Sequence, residues 1–357
     1  MNLYQNKQYI EDVYYVRSLQ LPWEKLKDKK IIISGATGLV GSFLIDVIME
    51  KNANDKLNCT IYAIGRNNEK IEKRFSKYFV SNNLIFILND VRFPLTIDST
   101  EKIDYVLHLA SNTHPLQYST DPIGTITTNI IGLQNMLEFA VNHKASRFLF
   151  ASSNEIYGEN RGDVEFFDEN YCGYINSNTL RAGYPESKRC GEALCQAYKS
   201  QRNIDVVIAR LTRTYGPTMQ MSDTKAISQF IKRAVDDEDI VLKSEGSQYY
   251  SYQYVADSVA GLVTILLCGK NGEAYNISEE SGDIVLRDLA KIIANLNGKR
   301  LIYEIPDSIE AAGYSTATKA RLNGNKLSKL GWKPKYNIES GIMRTISILK
   351  DLNSQYL

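Results

Sequence analysis

Nothing in this sequence is built to cross a membrane or to be clamped by disulfides. Its longest apolar runs fall far short of the roughly 20 residues that span a bilayer. Residues 1–20 mix polar and aromatic side chains without the apolar core of a signal peptide. The five cysteines (Cys59, Cys172, Cys190, Cys195 and Cys268) are odd in number, irregular in spacing and free of any C-x-x-C. That argues against a disulfide framework or a thiolate metal site, and for a reducing compartment. The expected location is the cytoplasm, and no metal is expected. A formal net charge of +1 sets up no overall field that would draw the chain to nucleic acid or anionic lipid. With no internal repeat and no low-complexity linker, neither a repeat array nor a string of tethered modules is expected.

What is present is an ordinary globular balance, 43% hydrophobic and 23% charged, over 357 residues, enough for one large core or two lobes. The run Ile31, Ile32, Ile33 reads as a buried strand over 30–34. Further strands are expected at 60–64, 84–88, 105–109, 148–151 and 206–209. Helices are expected at 39–49, 69–79, 123–141 and 186–199, with a short one over 11–21 closed by Pro22. Strands alternating with helices of this length imply an α/β fold: a doubly wound parallel sheet with helices on both faces. After about residue 211 the alternation breaks into loops, helices and short strands. The expected division is an N-terminal helical extension (1–27), a dinucleotide-binding domain (28–211, with 254–277 returning to it) and a smaller, mainly substrate-binding C-terminal lobe (212–357).

The turn Ser34-Gly35-Ala36-Thr37-Gly38-Leu39-Val40-Gly41 follows the first strand and opens a helix. A glycine-rich turn alone is a weak signal; in this context it is the Rossmann-type dinucleotide fingerprint. Gly35 suits the tight turn, Gly38 the approach of a pyrophosphate to the helix N-terminus, and Gly41 close helix–strand packing. The second strand runs into Gly65-Arg66-Asn67, without the carboxylate that usually bonds the ribose 2′-hydroxyl of NAD. Arg66 can instead fork onto a 2′-phosphate, so NADP is the expected cofactor, with NAD the alternative. Asp90 and Val91 after the third strand, and Leu109, Ala110 and Ser111 after the fourth, complete the expected cofactor contacts.

Tyr184 and Lys188 stand four apart in Arg181-Ala182-Gly183-Tyr184-Pro185-Glu186-Ser187-Lys188, at the start of a helix. Tyr184 precedes a proline and is expected just outside that helix, with Pro185 at its first position. A lysine ammonium beside the phenol favours phenolate and makes it an acid–base group. Ser153, at the carboxyl end of the preceding strand, is placed to bond the substrate oxygen.

Together these residues resemble the extended short-chain dehydrogenase/reductase superfamily, in its NAD-dependent epimerase/dehydratase branch. The resemblance runs over about residues 28–345. It rests on the glycine-rich turn, His108-Leu109-Ala110, the 152–158 segment, Tyr184 to Lys188, Tyr215-Gly216-Pro217 and Leu330-Gly331-Trp332. Residues 173–198 and 214–230 look most like UDP-glucuronate decarboxylases. The resemblance implies a nucleotide-diphosphate sugar as the partner molecule, a homodimer through the helices at 123–141 and 186–199, and a place in surface-polysaccharide synthesis. It also gives Ser153, Tyr184 and Lys188 their catalytic roles. Glu155 falls where decarboxylases and dehydratases carry a catalytic glutamate; Asn154 falls where dehydratases carry an acid. Arg213 replaces a usual Asn, Tyr250 a pyrophosphate-binding Arg, and Lys225 another substrate-side Arg. Arg181 is a further candidate for a substrate anion.

Three functions follow as expectations. The favoured one is NADPH-dependent reduction of a keto group on a nucleotide-linked substrate, such as a CDP-linked ketose going to an activated alditol, suggested by Arg66 and the altered substrate positions. The second is a redox-neutral decarboxylase, epimerase or dehydratase holding NAD tightly. The third is a non-catalytic dinucleotide-binding protein.

Overall fold

The computed structural model describes residues 2–97, 101–306, 311–312, 314–315 and 317–353. The chain enters through helix α1 (Lys7–Arg17), then β1 (Lys30–Ser34), α2 (Leu39–Asp55), β2 (Thr60–Gly65), α3 (Asn68–Phe75) and β3 (Leu84–Leu88). It continues with β4 (Tyr105–His108), α4 (Pro115–Thr120), α5 (Pro122–Asn142), β5 (Arg147–Ser153), α6 (Gly183–Arg202) and β6 (Val206–Leu211). The remainder holds β7 (Arg213–Tyr215), α7 (Ala226–Val235), β8 (Ile240–Leu242), β9 (Tyr249–Tyr254), α8 (Val255–Cys268) and β10 (Ala274–Ile277). Then come β11 (Asp283–Val285), α9 (Leu286–Leu296), β12 (Leu301–Tyr303), β13 (Lys319–Ala320), α10 (Asn325–Ser328) and α11 (Ile338–Asn353).

Seven parallel strands pair in the order β3-β2-β1-β4-β5-β6-β10. The α/β doubly wound, Rossmann-like sheet expected from the sequence is present. Because β1 is covered on both sides, its side chains divide between two cores. Ile31 and Ile33 pack in the core that holds Phe43 and Val259, from α2 and α8; Ile32 packs in the one that holds Leu133 and Cys195, from α5 and α6. The strand order reverses between β1 and β4, and this fold opens its ligand crevice there, outside the carboxyl ends of the strands. Beyond β6, β9 pairs with β7, β11 and β13 in a second sheet, and β8 pairs with β12. Both flank that crevice's open side.

Several boundaries differ from expectation. α1 starts at Lys7 because the Asn6 side chain accepts the Tyr9 N–H, and it stops at Arg17, well before Pro22. Its buried Asp12 accepts hydrogen bonds from Tyr254 and Tyr336 and pairs with Arg344, tying the N-terminal helix to the late part of the chain. The helix expected at 69–79 ends at Phe75 and tightens into a single 3₁₀ turn (Ser76–Tyr78), burying both Phe75 and Tyr78. Among the described residues no helix is long and apolar enough to cross a membrane, and no group of His, Cys, Asp and Glu is disposed to hold a metal.

Candidate active site

A cavity of about 420 Å³ opens at the strand-order reversal, and every candidate residue named from the sequence lines it. Gly35, Thr37, Gly38, Leu39, Val40 and Gly41 form its floor, flanked by Leu109, Ala110 and Ser111. Gly35 sits at φ +71°, and a Cβ there would press on the backbone of Leu109 and Ala110 at 2.8 Å. A Cβ on Gly41 would lie 2.3 Å from the Gly35 carbonyl oxygen. Any other residue would fill the cradle or push α2 off the turn, so the backbone lies open for a pyrophosphate at the head of α2. Ser34 and buried His108 tie the tips of β1 and β4 through a 2.8 Å hydrogen bond, and burial pulls the imidazole down to about 3, hence neutral.

At the second strand's tip, Arg66 is 59% exposed, with Nη1 3.9 Å from Asp90. Asp90 is engaged more closely by Arg92, whose hydrogen bonds hold its carboxyl below the usual range. Val91 is buried against Gly132 on α5.

Ser153 ends β5, and its Oγ accepts the Glu155 N–H at 3.2 Å. Tyr184 lies inside α6, which begins at Gly183, one residue before Tyr184 and two before Pro185. The expectation that Tyr184 stays outside the helix is corrected. A proline in the first turn removes a donor that has no intrahelical acceptor, so the helix extends past it. The Lys188 ammonium donates to the Ala151 carbonyl at 2.9 Å and lies 6.0 Å from the centre of the Tyr184 ring. Burial dominates both groups. It pushes the Tyr184 phenol up to about 12, helped by the Glu155 charge and opposed by hydrogen bonding to Ser153, the Arg181 charge and Ser111. It pulls Lys188 down to about 7, against the charge of Glu192. The expected stabilisation of phenolate by Lys188 is thus outweighed by desolvation; the groups that draw the phenol down are Ser153, Arg181 and Ser111.

Glu155 and Arg181 form an ion pair at 2.6 Å. Arg181 also donates to the Tyr314 carbonyl and lies 4.7 Å over the Tyr118 ring. Arg181 was expected to meet a substrate anion; here its charge is met by Glu155. The Tyr118 ring stacks on Tyr184, centroids 4.8 Å apart. Asn154 is buried in the turn after β5. Asn129 bridges Ser111 and Ser187 on the floor's far side. Lys225 pairs with Asp223, while Arg213 lies over the Tyr250 ring.

Sequence reasoning missed Tyr118, Thr218 and Asp223, the last two within a segment, 216–225, of which it had singled out Gly216, Pro217 and Lys225. That segment crosses the cleft as a roof. Thr218 donates to the Leu39 carbonyl at 2.8 Å at one end. At the other end Asp223 meets His114, Lys225 meets Thr113, and the Leu116 N–H meets Thr224. No local pattern marks these residues, because the contacts that tie the segment to α2 and to residues 113–116 span 108 to 179 positions, and Tyr118 meets Tyr184 across 66. His114, in the loop after β4, is part of that tie.

A sequence model of the NAD dependent epimerase/dehydratase family matches residues 31–278. The chain is 33% identical to UDP-glucuronic acid decarboxylase 1 of Xenopus tropicalis, over 92% of this chain and 75% of the relative. It is 31% identical to UDP-glucuronic acid decarboxylase 3 of Arabidopsis thaliana, over 88% of this chain and 86% of the relative. In fold it is similar to the UDP-glucuronic acid 4-epimerase of Bacillus cereus, solved in complex with UDP-glucuronic acid and NAD. The TM-score is 0.76 at 24% identity, over 90% of this chain and 99% of that one.

Proposed function

The chain belongs to the NAD dependent epimerase/dehydratase family, and from that premise we propose that it is a redox-neutral decarboxylase of a nucleotide-diphosphate-linked uronic acid that keeps its NAD through the cycle. Residues 28–211, with 254–277, hold the dinucleotide; residues 212–357 supply most of the substrate wall. Gly35–Gly41 would hold the dinucleotide by its pyrophosphate, and the bound cofactor would supply a reversible hydride acceptor for the sugar.

The protein's own part is proton movement and placement. Ser153 bonds the sugar hydroxyl, and Tyr184 takes its proton as the carbon becomes a carbonyl. Lys188, fixed on the Ala151 carbonyl, keeps its amino group beside the Tyr184 ring. A carboxylate one carbon removed from that carbonyl is a β-keto acid. Its carbon–carbon bond breaks to release CO2, the electron pair moves into the enolate, and the carbon is then protonated. Glu155, paired with Arg181, is the group to which we assign that protonation. Tyr184 finally returns its proton to the sugar oxygen.

The observation that carries the redox-neutral reading is the roof. A dinucleotide bound beneath a segment tied at Leu39 and at Thr113–Leu116 would be held in place rather than exchanged at every turnover. The decarboxylase relatives at 31–33% identity support the same reading. The NADPH-dependent reduction suggested by Arg66, and the NADP preference with it, yields to this reading. Arg66 is largely solvated, and the epimerase of similar fold holds NAD.

Two measurements test the proposal. Denaturing the purified protein is expected to release NAD+, and incubation with UDP-glucuronate to give CO2 and a UDP-pentose with no net change in nicotinamide absorbance. An empty protein that consumes NADPH stoichiometrically with a nucleotide keto-sugar would overturn it. A Tyr184→Phe variant that turned over as fast as wild type would return the protein to the non-catalytic reading.

A further inference from the structure

The cationic side chains of the cleft are mostly spoken for. Arg181 is paired with Glu155, Lys225 with Asp223, and Lys188 donates to a backbone carbonyl. Arg213 is different. Its guanidinium carbon lies 3.4 Å from the centre of the Tyr250 ring. Its Nη1 is buried with no hydrogen-bond partner among the described residues. The platform beneath it is fixed twice over: Tyr250 lies within β9, which pairs with β7 and β11, and its phenol donates to the Ala317 carbonyl at 2.6 Å. Both residues line the same cavity as Tyr184.

A buried guanidinium N–H without an acceptor is costly, and folded proteins retain few of them. Ring stacking offsets part of the charge's desolvation but supplies no acceptor for the N–H groups at the guanidinium edge. The missing partner is an oxyanion, planar or tetrahedral, that accepts two of those groups at once. We propose that Arg213, seated on Tyr250, binds an oxyanion of the substrate and so sets which substrates the cleft accepts. The inference rests on the nucleotide-sugar reading above. In such a substrate the oxyanion is either a phosphate of the diphosphate or the carboxylate of the sugar. Arg213 makes the specific contact; Tyr250 is its positioning residue.

Titration calorimetry on the dinucleotide-containing protein with UDP, UDP-glucose and UDP-glucuronate separates the outcomes. Wild type is expected to bind them, and Arg213→Gln to weaken at least one by roughly 10- to 100-fold, the worth of a charged hydrogen bond, with dinucleotide content unchanged as the check on folding. Loss with all three assigns the diphosphate; loss with UDP-glucuronate alone assigns the carboxylate. Arg213→Lys, which keeps the charge but not the fork, is expected to fall between. Tyr250→Leu is expected to raise KM several-fold while leaving kcat nearly intact. If Arg213→Gln binds all three as wild type does, the role of Arg213 is overturned. If wild type itself binds none of them, the nucleotide-sugar reading fails first and takes this inference with it.

Discussion

At the scale of single residues, the site is governed by burial of charge. Lys188 titrates near 10.5 in an unfolded chain and near 7 in the fold. Between those values the unfolded state binds more protons, so this group makes the protein more stable as pH rises from 7 toward 10.5; below pH 7 the full cost of burying the ammonium is present. Lys188→Met removes that cost. Its stability gain over wild type, read by denaturant unfolding, is expected to be larger at pH 6 than at pH 9 by about 3 kcal/mol, while activity is lost at both. An equal gain at the two pH values would mean that Lys188 is not driven toward neutrality by its surroundings. The residues that make this chemistry were readable because they are close in sequence: Tyr184 and Lys188 are one helical turn apart, and Ser153 and Glu155 share one strand end. Tyr118, stacked on Tyr184 from 66 positions away, was not, since nothing in the local pattern of α4 marks it as a partner of α6.

At the scale of elements, the strands and long helices were legible because parallel strands covered on both faces must be nearly continuous in apolar residues, as Ile31 to Ile33 are. The ends of helices were less so. The start of α1 is set by Asn6 and the start of α6 runs through Tyr184, and both depend on backbone partners rather than on periodicity. Least legible was the roof, which has no repeat and takes its shape from distant contacts. Asp223 is its hub, accepting from His114 and from both the backbone and side-chain nitrogens of Lys225. Burial would raise this carboxyl, yet His114 and Lys225 outweigh burial and hold it well below the usual carboxylate range. Asp223→Ala removes one end of the tie while leaving the floor and the Tyr184–Lys188 pair in place. Bound dinucleotide is expected to exchange with added labelled NAD at least roughly tenfold faster, the effect of losing about 1.4 kcal/mol of closure. Unchanged exchange would show that retention, if present, is set by the floor alone.

At the scale of the whole molecule, one surface is unlike the rest. α5 packs along α6 with its inner face, and away from that contact Ile123 and Ile131 are 75% and 43% exposed. Large aliphatic side chains left in water on one helix are disfavoured, and an isologous contact between two copies covers them on both at once. The resemblance read from the sequence gives these same two helices to a dimer, which makes a second copy of this chain the occupant we propose. Sedimentation is therefore expected to give twice the 40.4 kDa of one chain. The double change Ile123→Glu with Ile131→Glu puts like charges opposite one another across the two-fold and is expected to give monomers that still fold. Wild-type protein that sediments as a monomer at micromolar concentration would refute the assignment. A double variant that stays dimeric would move the interface to another face of the molecule.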